Sequence, residues 1–166
     1  MKTKHLVLGL LLCSGINAFQ SCKKENNGLS NLQVRLTDAP AAYDQVNVDI
    51  REVRVNFRDD STGWVSLNTN AKIYNLLALQ NGVDTLLATG TVSTGIVKEI
   101  RLLLGNDNSV VVNGTSFPLT IPSGGESGLK IKVNKKLNAT LETLIVDFDA
   151  ALSIKVENGG YKLRPV

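Results

Sequence analysis

Gln45-Val46-Asn47-Val48-Asp49-Ile50-Arg51-Glu52-Val53-Arg54-Val55-Asn56-Phe57 is the stretch whose reading decides the fold. Apolar and polar residues alternate along it, the mark of a strand with one buried face. Val46, Val48 and Ile50 share one parity, whereas Val53, Val55 and Phe57 share the other. A one-residue slip turns every following side chain to the opposite face unless an extra residue absorbs it. The spacing therefore predicts either a β-bulge near Arg51-Glu52 or a strand that passes from one sheet to another there.

Further strands are legible on both sides. Leu32-Gln-Val34-Arg-Leu36 alternates and ends at Pro40, which has no N–H and fixed φ. Asp59 to Gly63 reads as a turn, and Trp64 to Leu67 as a strand. Lys72 to Leu79 reads as a short strand and a helical turn stopped by Asn81-Gly82. Val83 to Val92 is interrupted by Gly90, and Ile96 to Leu104 is apolar on both parities beyond Ile100, as in a central strand covered on both faces. Ser109 to Val112, Asn113-Gly114 and Thr115 to Leu119 form a hairpin, since Asn-Gly suits a type I′ turn. A loop at Pro122 to Gly125 precedes Leu129-Lys-Ile-Lys-Val133. Leu141 to Phe148 places Leu144, Val146 and Phe148 on one side. Ser153 to Val156 and Tyr161 to Leu163 flank Asn158-Gly159-Gly160 as a closing hairpin. About nine or ten short strands without a long amphipathic helix predict an all-β, antiparallel β-sandwich, immunoglobulin-like or transthyretin-like in its layering.

The chain begins with a segment of another kind. Lys2 and Lys4 precede an apolar run from Leu6 to Leu12, and Ser21-Cys22 follows, which is the layout of a cleaved secretory signal. The run is shorter than the roughly 20 apolar residues that cross a bilayer. Cys22, followed by Lys23-Lys24-Glu25, looks like a bacterial lipobox in which the cysteine is lipidated and becomes the mature N-terminus. The expected organisation is a lipoprotein signal peptide over 1–21, a polar tether over 22–31 and a β-sandwich over 32–166. Lys23 in place of aspartate argues for outer-membrane sorting in a Gram-negative envelope, and Lys23-Lys24-Glu25 partly matches surface-export signals.

Loss of 1–21 leaves 145 residues carrying 16 basic and 15 acidic side chains, so no charged face is marked for nucleic acid. Both Cys13 and His5, the one histidine of the chain, fall within the signal. The mature domain thus has no Ser-His or Cys-His pair, no Cys/His zinc site and no disulfide. An enzyme is not expected.

The order of short motifs carries a resemblance. Leu36-Thr-Asp-Ala-Pro40, Tyr43 with Val46-x-Val48-x-Ile50 and Val53, Trp64-Val65 and Leu76-Leu77-x-Leu79-x-Asn81-Gly82 come first. Ile100-Arg-Leu102, Pro122-Ser-Gly124, Gly128-Leu129-Lys130, Asp147-Phe-Asp149 with Ser153-Ile154, and Gly160-Tyr161-x-Leu163-x-Pro165 follow. In this order the chain resembles the bacterial lipoprotein domains catalogued as domain of unknown function 4382, common in Bacteroidota. The resemblance implies an extracytoplasmic β-sandwich and brings no established activity.

Carboxylates are the remaining candidates for chemistry. Asp38, Asp44, Asp147 and Asp149 would bind Ca²⁺ if the first and last strands were neighbours, since calcium prefers oxygen ligands. The competing reading is that Asp38 caps a turn and that Asp147 and Asp149 face solvent or accept backbone N–H bonds. A carboxylate-based glycosidase would need a deep sugar cleft, for which the mature part offers one tryptophan and six Tyr or Phe residues. Trp64 would stack on a glycan if exposed, or pack in the core. Asp60-Ser61-Thr62 and Asp84-Thr85-Leu86 resemble the O-glycosylation signal of Bacteroidota, with Ser61 and Thr85 as acceptors. The expected function is a lipid-anchored, non-enzymatic binding or scaffolding module, held to the membrane through Cys22 and contacting an unidentified envelope protein or glycan. A calcium-dependent or glycan-binding adhesin-like module is the alternative. An apolar cavity would favour a small ligand, an exposed Trp64 a glycan and a bare strand edge a protein.

Overall fold

In the computed structural model, residues 28–58, 60, 62–121 and 128–164 are described. The predicted signal, Cys22, the tether up to residue 27, Ser61 and the Pro122–Gly125 loop lie outside the described residues. Strand β2 (Gln45–Asn56) is the spine of the larger sheet. Val46, Val48, Ile50, Val53 and Val55 are all completely buried, although they occupy two parities. Arg51 resolves the conflict. Ile50 pairs with Leu104 but Glu52 pairs with Leu103, so Arg51 is the extra residue of a β-bulge. The alternative, a change of sheet, does not occur, because both halves of β2 stay in one sheet.

The bulge lets β2 serve different neighbours along its length. Its first half pairs with β5 (Lys72–Asn75) on one edge and β8 (Ser109–Val112) on the other. Its second half pairs with β3 (Trp64–Ser66) and β7 (Gly95–Leu104). Where β7 gives way to β8, Gly105 N–H donates to Asp49 O at 2.8 Å and Asp49 N–H donates to Asn108 Oδ1 at 2.8 Å. Arg51 is turned towards the buried Asp49 carboxylate, 2.7 Å from Oδ2. Between β3 and β5 the chain leaves for the other sheet as β4 (Asn68–Thr69) and returns, and Thr69 Oγ1 accepts from Val53 N–H at 2.9 Å.

Two open sheets result. One runs β11-β1-β6-β4, using β1 (Leu29–Thr37), β6 (Thr85–Ser93) and β11 (Leu141–Asp147). The other runs β10-β7-β2-β8-β9-β13-β12, adding β9 (Thr115–Thr120), β10 (Leu129–Leu137), β12 (Ile154–Glu157) and β13 (Gly160–Leu163), with β3 and β5 also on β2. Leu32, Val34 and Leu36 of the first sheet and Ile100 and Leu102 of the second belong to the single buried core between them. The fold is all-β and sandwich-like.

Several details differ from the sequence expectation. Both sheets are mixed, because β1–β11 and β9–β13 are parallel. Each of those pairs joins strands far apart in the chain, the condition that a parallel crossover needs. The fold segment of the predicted tether begins early: Leu29 to Asn31 already belong to β1, where buried Ser30 donates its hydroxyl to Thr140 O at 3.1 Å. Strand β6 runs unbroken through Gly90, where a Cβ would lie 2.8 Å from Leu67 Cδ2, so the glycine admits that leucine into the core. From Ile100 to Leu104 strand β7 is fully buried on one face only, through Ile100, Leu102 and Leu104, and Val97 is a buried residue of the opposite parity nearer its start. Its other face, with Arg101 and Leu103, is half-buried.

Both Asn-Gly hairpins form as expected. Asn113 and Gly114 have φ of 50° and 74°, and Asn158 and Gly159 have 51° and 74°, the left-handed pairs of type I′ turns. Leu76–Leu79 is a 3-10 turn after β5, stopped at Asn81-Gly82. A second short helix, α1 (Ala150–Ser153), links β11 to β12.

Gly105 is the position at which the bulge network is most exposed to a single change. A Cβ there would collide with Asp49 Oδ2 and fall 2.6 Å from Arg51 Nε. Gly105→Ala is expected to lower stability in urea denaturation by about 1–3 kcal/mol, the usual range for overpacking a filled site. Unchanged stability would mean that Asp49 and Arg51 are free to move aside.

Candidate functional site: a cleft between two sheet edges

Strands β10 and β11 are consecutive and belong to different sheets. The turn Asn138–Thr140 joins them, so they face each other across the open side of the sandwich through side chains, without a shared hydrogen-bond ladder. Between them lies an apolar cleft of about 260 Å³. Leu129, Ile131 and Val133 form one wall, Leu144, Val146 and Phe148 the other, and Ile100 of β7 contributes to the lining. The walls differ in cover. Val146 and Phe148 are buried, whereas Leu129, Ile131 and Val133 are only half-buried.

Polar groups mark the two ends. Near the turn, Glu142 accepts from Asn138 N–H at 3.1 Å and from its side-chain amide at 2.8 Å, and Lys135 Nζ lies 3.7 Å from Glu142. These bonds, chiefly that from the Asn138 amide, hold the Glu142 carboxyl below the usual range. At the other end Lys132, Asp147 and Ser153 complete the lining.

The structure gathers three of the four predicted aspartates beside that second end. Parallel pairing of β1 with β11 sets Thr37 opposite Asp147. Asp38, next along, is 4% exposed and accepts from Ala150 N–H through Oδ1 at 2.9 Å, fastening β1 to α1. Asp149 caps α1, its Oδ1 accepting from Leu152 N–H at 2.9 Å. Asp44 belongs elsewhere and braces the β8–β9 hairpin, where its Oδ2 accepts from Gly114 N–H at 2.8 Å. Among the described residues, no group of three or more acidic, histidine or cysteine side chains is placed to hold a metal ion. Asp38 and Asp149 accept backbone N–H bonds, as the competing reading proposes, and Asp44 does so as well at its hairpin.

Burial pushes the Asp38 carboxyl above the ordinary carboxylate range, against the Ala150 N–H bond that favours its charge, and nearby Asp147 adds to the rise. Its second oxygen, Oδ2, is buried with no well-aligned hydrogen-bond donor among the described residues, although the Gln80 amide and the Ala39 N–H lie on the side that favours its charge.

Trp64 is half-buried at the start of β3, and the Arg101 guanidinium lies over its ring at 4.0 Å from the centroid. That face of the indole is occupied by a cation–π contact, which removes it as a flat platform for sugar. Thr85 is half-buried in β6, and its neighbour Asp84 accepts from Arg35 Nε at 2.6 Å. Asp60, before Ser61, accepts from Thr62 N–H at 2.8 Å and so shapes its turn.

Sequence reasoning identified Leu129 to Val133 as a strand but did not place it at an uncovered edge. The available signal was Lys130, Lys132, Lys135 and Lys136, since edge strands commonly carry lysine. Asp49 was missed as well. It occupies a polar position of an alternating strand, and the 105–108 loop covers it.

A protein-family model described as "Domain of unknown function (DUF4382)" matches residues 30–165. No curated protein and no solved structure matches the chain.

The Asp38 environment sets a pH dependence whose sign is fixed. A carboxyl with a raised folded-state pKa contributes most at low pH, and that contribution is lost as pH rises above about 4 through the folded value. Asp38→Asn keeps an acceptor for Ala150 N–H and removes the charge. Its stability relative to wild type is expected to rise between pH 3 and pH 7 in urea denaturation. The comparison cancels the opposite trend of Glu52 and Glu157, which hydrogen bonds from Arg54 and Lys162 hold low. A difference that stays flat or falls with pH would refute the buried-charge account.

Proposed function

The chain belongs to the family of domain of unknown function 4382, and we propose that this member is a lipid-anchored binding module of the cell envelope, acting without catalysis. The observation that carries the binding role is the apolar cleft between β10 and β11, with half-buried aliphatic side chains along one wall. Concave, mostly apolar sites with a few polar groups at the rim are the usual form of binding sites. At about 260 Å³ the cleft exceeds the roughly 150 Å³ of an apolar cavity that takes up benzene. Its rim at Lys132, Asp147 and Ser153 would orient what enters.

Cys22 supplies the location. Lipidation there would leave the fold within a few residues of the membrane, since β1 starts at Leu29. A single acyl chain holds a protein marginally and reversibly, whereas the multiple chains of a mature lipoprotein hold it stably. Outer-membrane placement in a Gram-negative envelope follows from Lys23 after the cysteine.

Two measurements test these parts separately. In cells fed an alkyne fatty acid, the wild-type chain is expected to carry label and sediment with membranes, and Cys22→Ser to lose both. Label that survives Cys22→Ser would remove the anchor. A photo-cross-linking residue placed at Val133 is expected to give an adduct on intact cells, and one at Lys155 on β12 none. Absence of any adduct at Val133 would remove the cleft as the binding site.

A further inference from the structure

Two of the links between the sheets lie at the same end of the sandwich. Thr94 carries the chain from β6 to β7, and Asn138–Thr140 carries it from β10 to β11. Gly28, where the described chain begins, sits between them. Its carbonyl accepts from Thr94 N–H at 2.8 Å, and a Cβ on it would lie 3.2 Å from Ala139 Cβ. The N-terminal segment therefore joins the fold at this end.

Three exposed aliphatic side chains surround that junction. Leu29, next to Gly28, is 65% exposed. Ile96, two residues beyond Thr94, is 46% exposed, and Leu141, two beyond Ala139, is 62% exposed. The other large apolar residues left in solvent are placed differently. Val65, Ile73 and Val156 belong to three separate strands, β3, β5 and β12, and single exposed apolar residues are ordinary. Val83 and Leu152 adjoin carboxylates: Asp84 follows Val83, and Leu152 donates its N–H to Asp149. Ile145 stands four residues from Leu141 on the same face of β11 and prolongs the apolar margin away from the junction.

We infer that this end of the sandwich is a seat on the lipid bilayer, with Leu29, Ile96 and Leu141 entering the headgroup and upper acyl region. The inference rests on the lipid anchor proposed above. Cys22 is six residues before Gly28, and an extended chain spans at most about 3.3–3.6 Å per residue, so this end stays within roughly 22 Å of an anchored Cys22. The five residues between them, Lys23-Lys24-Glu25-Asn26-Asn27, carry no apolar side chain that would cover the three from within the chain. Shape also favours lipid. The side chains rise from the starts of three strands, and a fluid surface receives such points without the matched relief that a protein partner needs.

Affinity for a lipid surface grows with the apolar area buried and with attraction to its headgroups. Lys136, exposed and paired with Ile96, stands ready for the second. The Glu142 carboxylate is already held by Asn138 and Lys135. Leu144, where β11 enters the cleft, is three residues from Leu141, about 10 Å along the strand. The seat thus keeps the near end of the cleft close to the membrane.

The test places a nitrobenzoxadiazole probe on a cysteine introduced by Leu141→Cys or, as the control, by Val156→Cys. The mature lipidated protein is held in phosphatidylcholine vesicles, with or without a lipid carrying a nitroxide high on its acyl chain. Cys22 bears the lipid and Cys13 leaves with the signal, so the introduced thiol is the one that reacts. The nitroxide lipid is expected to quench the probe at 141 at least twofold more than at 156. Adding Leu29→Ser and Ile96→Ser, both at exposed sites, is expected to cancel that difference. The protein should still unfold cooperatively and still sediment with the vesicles.

Equal quenching at 141 and 156, with the protein in the vesicle pellet, would overturn the seat and leave the anchor standing. A difference that survives the two serine substitutions would overturn it too, because the probe itself would then be what enters lipid. An unquenched blue shift at 141 that grows with the protein-to-lipid ratio would overturn it in favour of a second copy. Protein missing from the vesicle pellet, with no alkyne label on Cys22 in cells, would overturn anchor and seat together.

Discussion

Everything in this fold depends on one extra residue. A strand with valines on one parity and then on the other cannot bury both sets in a regular ladder, and Arg51 lets β2 do so. Five aliphatic side chains then face one core along a single spine. The cost of the irregularity is offset locally. The ladder breaks where β7 ends and β8 begins, and the freed backbone of Asp49 bonds to Gly105 and Asn108 in the loop between them. A backbone group left unpaired at that depth would cost about as much as a lost hydrogen bond. Bulge, glycine and asparagine are thus parts of one local solution.

Along one edge of β2 the sheet ends at once in β3 and β5, and from the other edge it continues in two branches, through β8 and through β7. The first branch ends at β12, beyond the β8–β9 and β12–β13 hairpins with their Asn-Gly turns. The second ends at β10, where the chain turns at Asn138–Thr140 and enters the opposite sheet as β11. Among the described residues, the two layers are therefore not closed on that side. The cleft follows from this topology, and its apolar lining is the core seen from its unsealed edge. Asp38 and Asp149 secure the far end of the same region by holding α1, so that β11 leaves the sheet in a fixed direction.

Much of the architecture was readable before any coordinates. The bulge was visible as a parity conflict, and the hairpins as Asn-Gly between apolar runs. Both signals are local and rest on steric rules that tertiary context seldom overrides. Apart from the two hairpins, the partners of the strands were not readable. Nothing in Leu141 to Asp147 states that it lies parallel to β1, because that pairing joins residues some 110 positions apart. The uncovered state of Leu129, Ile131 and Val133 was hidden for the same reason. Alternation shows that a face is apolar, and only the neighbouring sheet decides how far it is covered. For Trp64, the sequence left core and surface open; the structure shows an intermediate case, half-buried under Arg101. The aspartates divide similarly, since Asp147 reaches the cleft through a pairing that no spacing rule encodes.

The central claim is that the sandwich is open along β11, where no strand among the described residues meets the outward backbone groups. Residue-resolved amide hydrogen exchange of the full-length protein tests this most directly. Glu142, Leu144, Val146 and Phe148 are expected to be protected by their bonds to β1, while Leu141, Thr143, Ile145 and Asp147 exchange quickly. Uniform protection from 141 to 148 would contradict the claim, because it would mean that this edge is already covered.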